Sequence, residues 1–319
     1  MKKLIIGKND AGQRLDKFIT KAVKGLPQSL MYKYIRTKKI KLNGSRAGIN
    51  TILTEGDEVL LYIKESFFSS PEKDDSAIKN LIPKLEVLYE DSNILLINKR
   101  PGVLVHEDAN GKDNTLLMHL WAYLYRSGEY NPDDEMSFSP SFCNRIDRNT
   151  GGIVIAAKNA KALREMNDHI RSGDVHKYYL CAVHGKMPKD ADIITAYLKK
   201  DEKTNTVNVS DSPLNGYKII KTGYRVLSFS DNISLLEIEL FTGRTHQIRA
   251  HMAHLGHPLL GDGKYGINRE DKRKGYKYQA LYSYKLKFDF NEKGECLNYL
   301  SGRVFSLDAN SIWFVKDFE

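Results

Sequence analysis

Apolar residues near the amino terminus recur with a helical period. Leu15, Phe18, Ile19, Ala22 and Val23 fall at i, i+3, i+4, i+7 and i+8, a stripe that one side of a helix can bury. The spacing predicts a helix near 14–24. Pro27 ends it, Ser29 is placed to cap a second helix, and Met31, Tyr34 and Ile35 give that helix an apolar face while Lys33 and Arg36 point elsewhere. The period then shortens to two. Residues 39–44 alternate and end in the hairpin dipeptide Asn43-Gly44, and Val59, Leu61 and Ile63 alternate after a turn at Gly56-Asp57.

Residues 65–84 lack a sustained period and are rich in Ser and charge, the composition of a flexible connector that lets its neighbours move independently. From Leu85 strands dominate: 85–89, Ile94–Ile97, 152–157 and 178–183 are apolar runs, and around 236–240 Glu237 and Glu239 alternate with apolar residues on one wet face. Two amphipathic helices are predicted, near 160–171 with Leu163, Met166 and Ile170 inward, and near 245–255 with Ile248, Met252 and Leu255 inward. This order of elements implies an α+β body built on a mixed sheet with helices packed against it. No repeat or low-complexity tract interrupts it.

Charge divides the chain in the same place. Of 319 residues, 49 are Lys or Arg and 40 are Asp or Glu; residues 1–64 hold 14 and 5 of these, so the whole +9 excess lies in the first fifth. A positive module joined to a neutral body suits a protein that gathers a polyanion with one part and acts on it with the other; a merely solvated basic surface is the plainer alternative. No apolar run reaches the roughly 18 residues of a membrane span, and the opening apolar stretch is too short for a signal peptide, so a cytoplasmic protein without membrane partners is expected. Cys143, Cys181 and Cys296 are far apart with no C-x-x-C pair, which argues against disulfide, zinc-ribbon and iron-sulfur frameworks.

Two segments carry candidate chemistry. In Arg145-Ile146-Asp147-Arg148, directly before an apolar strand, an aspartate stands between two arginines; nearby cations hold a carboxylate ionised, although a surface ion-pair cluster would look the same. In Phe241–Pro258 a helix opens near Thr245 after Gly243-Arg244, which places Arg244 and free N–H groups where an anion is welcome. Four histidines in this stretch (His246, His251, His254, His257) raise a metal-hydrolase reading, but they lack an H-E-x-x-H pair or a nearby cysteine, so structural or RNA-contacting histidines fit better and no metal is expected.

These residues resemble a known family. Arg145-Ile146-Asp147-Arg148-Asn149-Thr150-Gly151-Gly152 is similar to the R-L-D-x-x-T-S-G signature of the RluA family of pseudouridine synthases. The stretch Gly243–Arg249 with Gly256-His257-Pro258 and Gly261-Asp262 is similar to its later signature. Asn98-Lys99 through Gly102 and His106 resembles the early segment, and His176-Lys177-Tyr178-Tyr179-Leu180 with Gly185 the K-x-Y segment. Residues 12–63, with Lys33, Arg36, Lys38, Lys39 and Lys41 near one edge, resemble the αL RNA-binding domain of a small-subunit ribosomal protein. The likeness is strongest to the RluC subgroup, which acts on large-subunit ribosomal RNA. The chain departs from the family pattern at Asn144 (usually His), Gly151 (usually Ser), Arg100 (usually Pro) and Tyr282 (often His), which leaves the target uridine open.

The resemblance implies a pseudouridine synthase domain over 85–319 with a mainly antiparallel sheet, an RNA-binding domain over 1–64 and a linker over 65–84. It implies isomerisation of uridines, with large-subunit ribosomal RNA as the partner and the chain acting in its simplest form as a monomer. Asp147 would attack the ribose or remove a ribose proton, Arg249 would pair with it, and Tyr179 would stack near the base and help remove the C5 proton. Arg145 would accompany the flipped nucleotide, Ile248 would line the pocket, and Arg148, Lys177 and Arg244 would meet the RNA backbone, as would Lys33, Arg36, Lys38 and Lys39 in the first domain. The isomerisation needs no cofactor. A non-catalytic RNA-binding or ribosome-assembly protein is the competing reading, since it would share the basic module.

Overall fold

Two sheets organise the chain, one on each side of the charge boundary. The computed structural model describes residues 1–68, 76–107, 114–266, 268–291 and 294–318. The first sheet belongs to β1 (Lys2–Ile5), α1 (Leu15–Ala22), α2 (Gln28–Arg36), β2 (Ile40–Leu42) and β3 (Glu58–Leu61). Its order is β1-β3-β2, antiparallel, with Leu4 opposite Val59 and Ile40 opposite Leu61. The predicted stripe of α1 packs onto it: Leu15, Phe18, Ile19 and Val23 meet Met31, Ile35, Ile40, Val59 and Leu61 in one core. Ser29 does not cap α2. The helix begins two residues earlier than such a cap implies, at Gln28, with Pro27 in the cap position and no side-chain bond, so Ser29 lies inside its first turn.

The expected connector is partly helical, with a short 3-10 turn at Glu65–Phe67 and α3 (Ser76–Asn80); its residues 69–75 lie outside the described residues. Polar contacts join the first module to the body. Asn9 Nδ2 donates to Glu135 Oε1 (2.7 Å), Gln13 Nε2 donates to Ser137 Oγ (2.7 Å), and Ser137 Oγ donates to Asp10 Oδ1 (2.5 Å).

The body follows with β4 (Val87–Glu90), β5 (Ile94–Lys99), α4 (Leu116–Arg126), β6 (Ser141–Phe142), β7 (Gly151–Ala157), α5 (Ala160–Ser172) and β8 (Val175–His184). It continues with β9 (Ala191–Asp201), β10 (Thr206–Ser210), β11 (Lys218–Ser230), β12 (Ile233–Leu240), α6 (Gln247–His254), α7 (Asn268–Arg273), β13 (Leu281–Phe288) and β14 (Val304–Ser306). The strand order is β10-β9-β11-β12-β8-β13-β7-β5-β4, with β14 on β13 and β6 on β7. Neighbours are antiparallel except β13 and β7, so the sheet is mixed and mainly antiparallel.

Helices cover both faces. In the β5 and β7 region α5 packs Ala162 and Met166 on Leu96 and Ile155, while α4 packs Leu116, Leu120 and Leu124 on Leu95, Ile97 and Val154. Further along, α6 sets Ile248 and Met252 against Tyr179, Leu236 and Leu281. The opposite face of β8 and β12, with Leu180 and Leu235, is closed by Ile312 and Phe314 of the carboxyl-terminal segment.

Two features differ from the expected pattern. The helix α4 carries apolar residues on most sides, Leu-Leu-Met-His-Leu-Trp-Ala-Tyr-Leu-Tyr-Arg, which blurs in the sequence the stripe of Leu116, Leu120 and Leu124 that it buries; at its start the Thr115 hydroxyl accepts from Met118 N. The helix α6 starts at Gln247, two residues later than expected, because His246 adopts a left-handed conformation at φ 52°.

Candidate active site

The segment before β7 is held from both ends. Asn144 Oδ1 accepts from Ile155 N at 2.8 Å, and Thr150 N closes a turn onto Asp147 O at 3.0 Å. At the far side of that turn Arg148 O accepts from Gly102 N and from Lys99 Nζ, while Arg148 Nε donates to Gly102 O. Lys99 is fully buried and also donates to Arg100 O (3.2 Å) and Val103 O (2.9 Å). Burial pushes its pKa down to about 7, the Asp147 charge pulls the other way, and three carbonyl acceptors favour the ammonium form. One lysine thus laces the loop after β5 to the loop that carries Asp147.

Two departures from the family pattern resolve into one packing fact. A Cβ at position 151 would collide with the Tyr282 ring, and the Tyr282 hydroxyl donates to Asn98 Oδ1 at 2.9 Å. Gly151 leaves the space that the larger side chain fills.

Asp147 faces α6. Its Oδ2 accepts from Arg249 Nη1 at 2.7 Å, and the same arginine gives Nε (2.7 Å) and Nη2 (2.8 Å) to the two oxygens of Asp262. The arginine side chain is 7% exposed, that of Asp262 is fully buried, and that of Asp147 is 26% exposed. Burial opposes ionisation of Asp262, yet the Arg249 bonds and charge, helped by the Lys264 and Tyr265 N–H groups, hold its carboxyl below the ordinary range. The guanidinium also lies 5.3 Å from the Tyr265 ring centroid.

Tyr179 is buried in the cluster that contains Ile248 and Met252. Burial pushes its pKa up to about 12, a Ser283 hydrogen bond lowers it and the Asp147 charge raises it, so the phenol stays protonated at neutral pH and is poorly suited to begin as a base. Lys177 is two residues earlier on the same strand face, and burial lowers its pKa. Arg145, Arg148 and Arg244 are exposed; the charge of Arg145 adds to burial in lowering the pKa of His106. The Arg244 N–H is not free for an anion, since it donates to Gln247 Oε1 at 3.0 Å. Lys33, Arg36, Lys38 and Lys39 are exposed on the first module, where Lys39 lies over the Tyr34 ring at 5.2 Å.

The four histidines separate. His246 approaches Asp147 Oδ2 with Nε2 at 3.9 Å and pairs with the Tyr265 hydroxyl through Nδ1, at 2.9 Å; burial pushes its pKa down against the pull of Asp147. His251 meets Thr222, His254 meets Asp211, and His257 meets the His184 carbonyl. Lys99, Asp262 and Tyr265 therefore join the site without having been singled out in the sequence, and His246, noted there only as one of four clustered histidines, joins it beside Asp147. Lys99 and Asp262 lie inside quoted motifs, but nothing local tells that they are buried.

The family model for RNA pseudouridylate synthase matches residues 93–254, which span the Asp147 loop, Tyr179 and Arg249. The chain belongs to the RNA pseudouridylate synthase family. It is an isomerase that acts on RNA, of the RluA type its motifs resemble. An uncharacterised RNA pseudouridine synthase of Mycoplasma genitalium is 34% identical over 90% of this chain and 88% of its own length. The ribosomal large subunit pseudouridine synthase C of Haemophilus influenzae is 29% identical over 94% of this chain and 90% of its own. Among solved structures, human RNA pseudouridylate synthase domain containing 1 shares the fold with a TM-score of 0.53 and 22% identity, covering 75% of this chain and 95% of that one.

Proposed function

We propose that Asp147 carries out the isomerisation on uridines of large-subunit ribosomal RNA, after the target nucleotide has turned out of its stack. The observation that carries this reading is the geometry of one carboxylate. Asp147 is a partly exposed aspartate gripped through a single oxygen by a buried arginine, in a loop that Lys99 laces through the carbonyl of the next residue, Arg148. The reaction breaks the C1′–N1 bond, turns the base and forms C1′–C5; C5 loses a proton and N1 takes one up, so composition is unchanged. Asp147 meets the ribose either at C1′ or at a sugar proton. Arg249 steadies its charge, and Tyr179 and Ile248 form the apolar wall against the base.

In this proposal residues 1–64 form an αL-type RNA-binding domain, joined by 65–84 to a catalytic domain over 85–319. The exposed Lys33, Arg36, Lys38 and Lys39 meet phosphates there, as Arg145, Arg148, Arg244 and Lys177 do around the flipped nucleotide. Relatives named for the ribosomal large subunit support the choice of RNA. Mapping pseudouridine in ribosomal RNA from cells with and without the gene tests it: sites lost from the large subunit are expected, and an unchanged large-subunit map with losses elsewhere overturns the assignment.

A further inference from the structure

Arg249 holds one positive charge between two carboxylates, and the division is unequal. Asp262 takes two of its N–H groups, Nε and Nη2, in a bidentate pair, which leaves Nη1 for a single oxygen of Asp147. Asp262 is itself fixed: its Oδ1 also accepts from Lys264 N (2.9 Å) and Tyr265 N (3.2 Å). Among the described residues no donor meets Asp147 Oδ1, while His246 Nε2 stands 3.9 Å from the already bonded Oδ2.

Left to themselves, an arginine and a carboxylate favour the two-bond fork, which occupies both oxygens. Here the fork is engaged elsewhere. We infer that Asp262 is a positioning residue that forces Arg249 to grip Asp147 by one oxygen and so keeps Oδ1 free to meet the ribose. Loss of the Asp262 charge also concentrates the guanidinium charge on Asp147, which makes the carboxylate a weaker nucleophile and base. The inference rests on the reading of Asp147 as the group that meets the sugar.

Asp262→Asn separates the two jobs of this side chain. An amide with its oxygen toward Lys264 N and Tyr265 N keeps the loop bonds but turns an NH2 toward Arg249 Nε, so the fork is lost. Single-turnover tritium release from RNA labelled at uridine C5, together with RNA affinity and the thermal midpoint, is measured for the wild type, Asp262→Asn, Asp262→Ser and Asp147→Asn. The expected result is a rate lower by roughly 10- to 100-fold in both Asp262 variants, with RNA affinity within about threefold of wild type. In an Arg249→Lys background, which has no fork to orient, Asp262→Asn is expected to add less than about threefold.

Three results overturn the inference: an undiminished rate in the Asp262 variants, a loss explained wholly by RNA affinity or by the fraction unfolded, or a full additive loss in the Arg249→Lys background. Wild-type activity of Asp147→Asn would instead remove the reading on which it rests.

Discussion

The first module and the catalytic body both collect cations and use them in opposite ways. In the module Lys33, Arg36, Lys38 and Lys39 stand exposed around α2 and the turn that follows, and the surplus of charge is confined to that part of the chain. In the body Lys99 and Arg249 are buried, and their donors are consumed by named carbonyls and carboxylates. An exposed charge acts at a distance and is weakened by salt; a buried one acts by fixing where its partner's atoms lie. Gathering RNA and placing one carboxylate are therefore separable physical tasks, and the proposed function assigns them to different sheets.

That contrast can be broken by acid. His251 is buried beside Thr222, and burial, with the His254 charge adding, pushes its pKa from 6.5 down to about 4. Between those values the unfolded chain binds a proton that the folded chain refuses, so stability falls as pH drops through the window and levels off below it. The expected loss is about 3 kcal/mol from this group, seen as a lower denaturation midpoint at pH 4.5 than at pH 7. Exchanging it by His251→Gln should remove that share of the acid sensitivity, and an identical pH dependence in both proteins would speak against the assignment.

A packing change sharpens the contrast from the body's side. Because the Tyr282 ring occupies the space of a side chain at 151, Gly151→Ser should destabilise by about 2 kcal/mol through overpacking, with Tyr282→His in the same chain recovering most of it. Independent, additive losses in a denaturation series would show that the two positions do not share the space. The smallest effect is expected in the module. Replacing Lys33, Arg36, Lys38 and Lys39 by Ala should weaken RNA binding about tenfold near 0.1 M salt and flatten its log-log salt dependence by about 0.7 per cation removed. The rate at saturating RNA should stay unchanged; a lower saturated rate would mean that the module also shapes the site.

Much of this was legible because it is local. The stripe of α1, the alternation of β12 and the Arg145–Arg148 cluster show in a few consecutive residues, and α5 (Ala160–Ser172) matches its predicted span closely. The helix α4 was hidden because it is apolar on most sides, and the long β9 to β11 meander because its outward face mixes Ile193, Tyr197 and Ile219 with lysines. The ion network was hidden for a different reason. Asp147 and Arg249 are 102 positions apart, and a lysine at the end of an apolar strand reads as a solvent contact until three carbonyls close on it.

The most direct test of the central claim is tritium release from RNA labelled at uridine C5, comparing the wild type with Asp147→Asn at equal RNA occupancy. The account predicts release by the wild type, none above background by the variant, and the same RNA affinity for both. Equal release by the two proteins would contradict it.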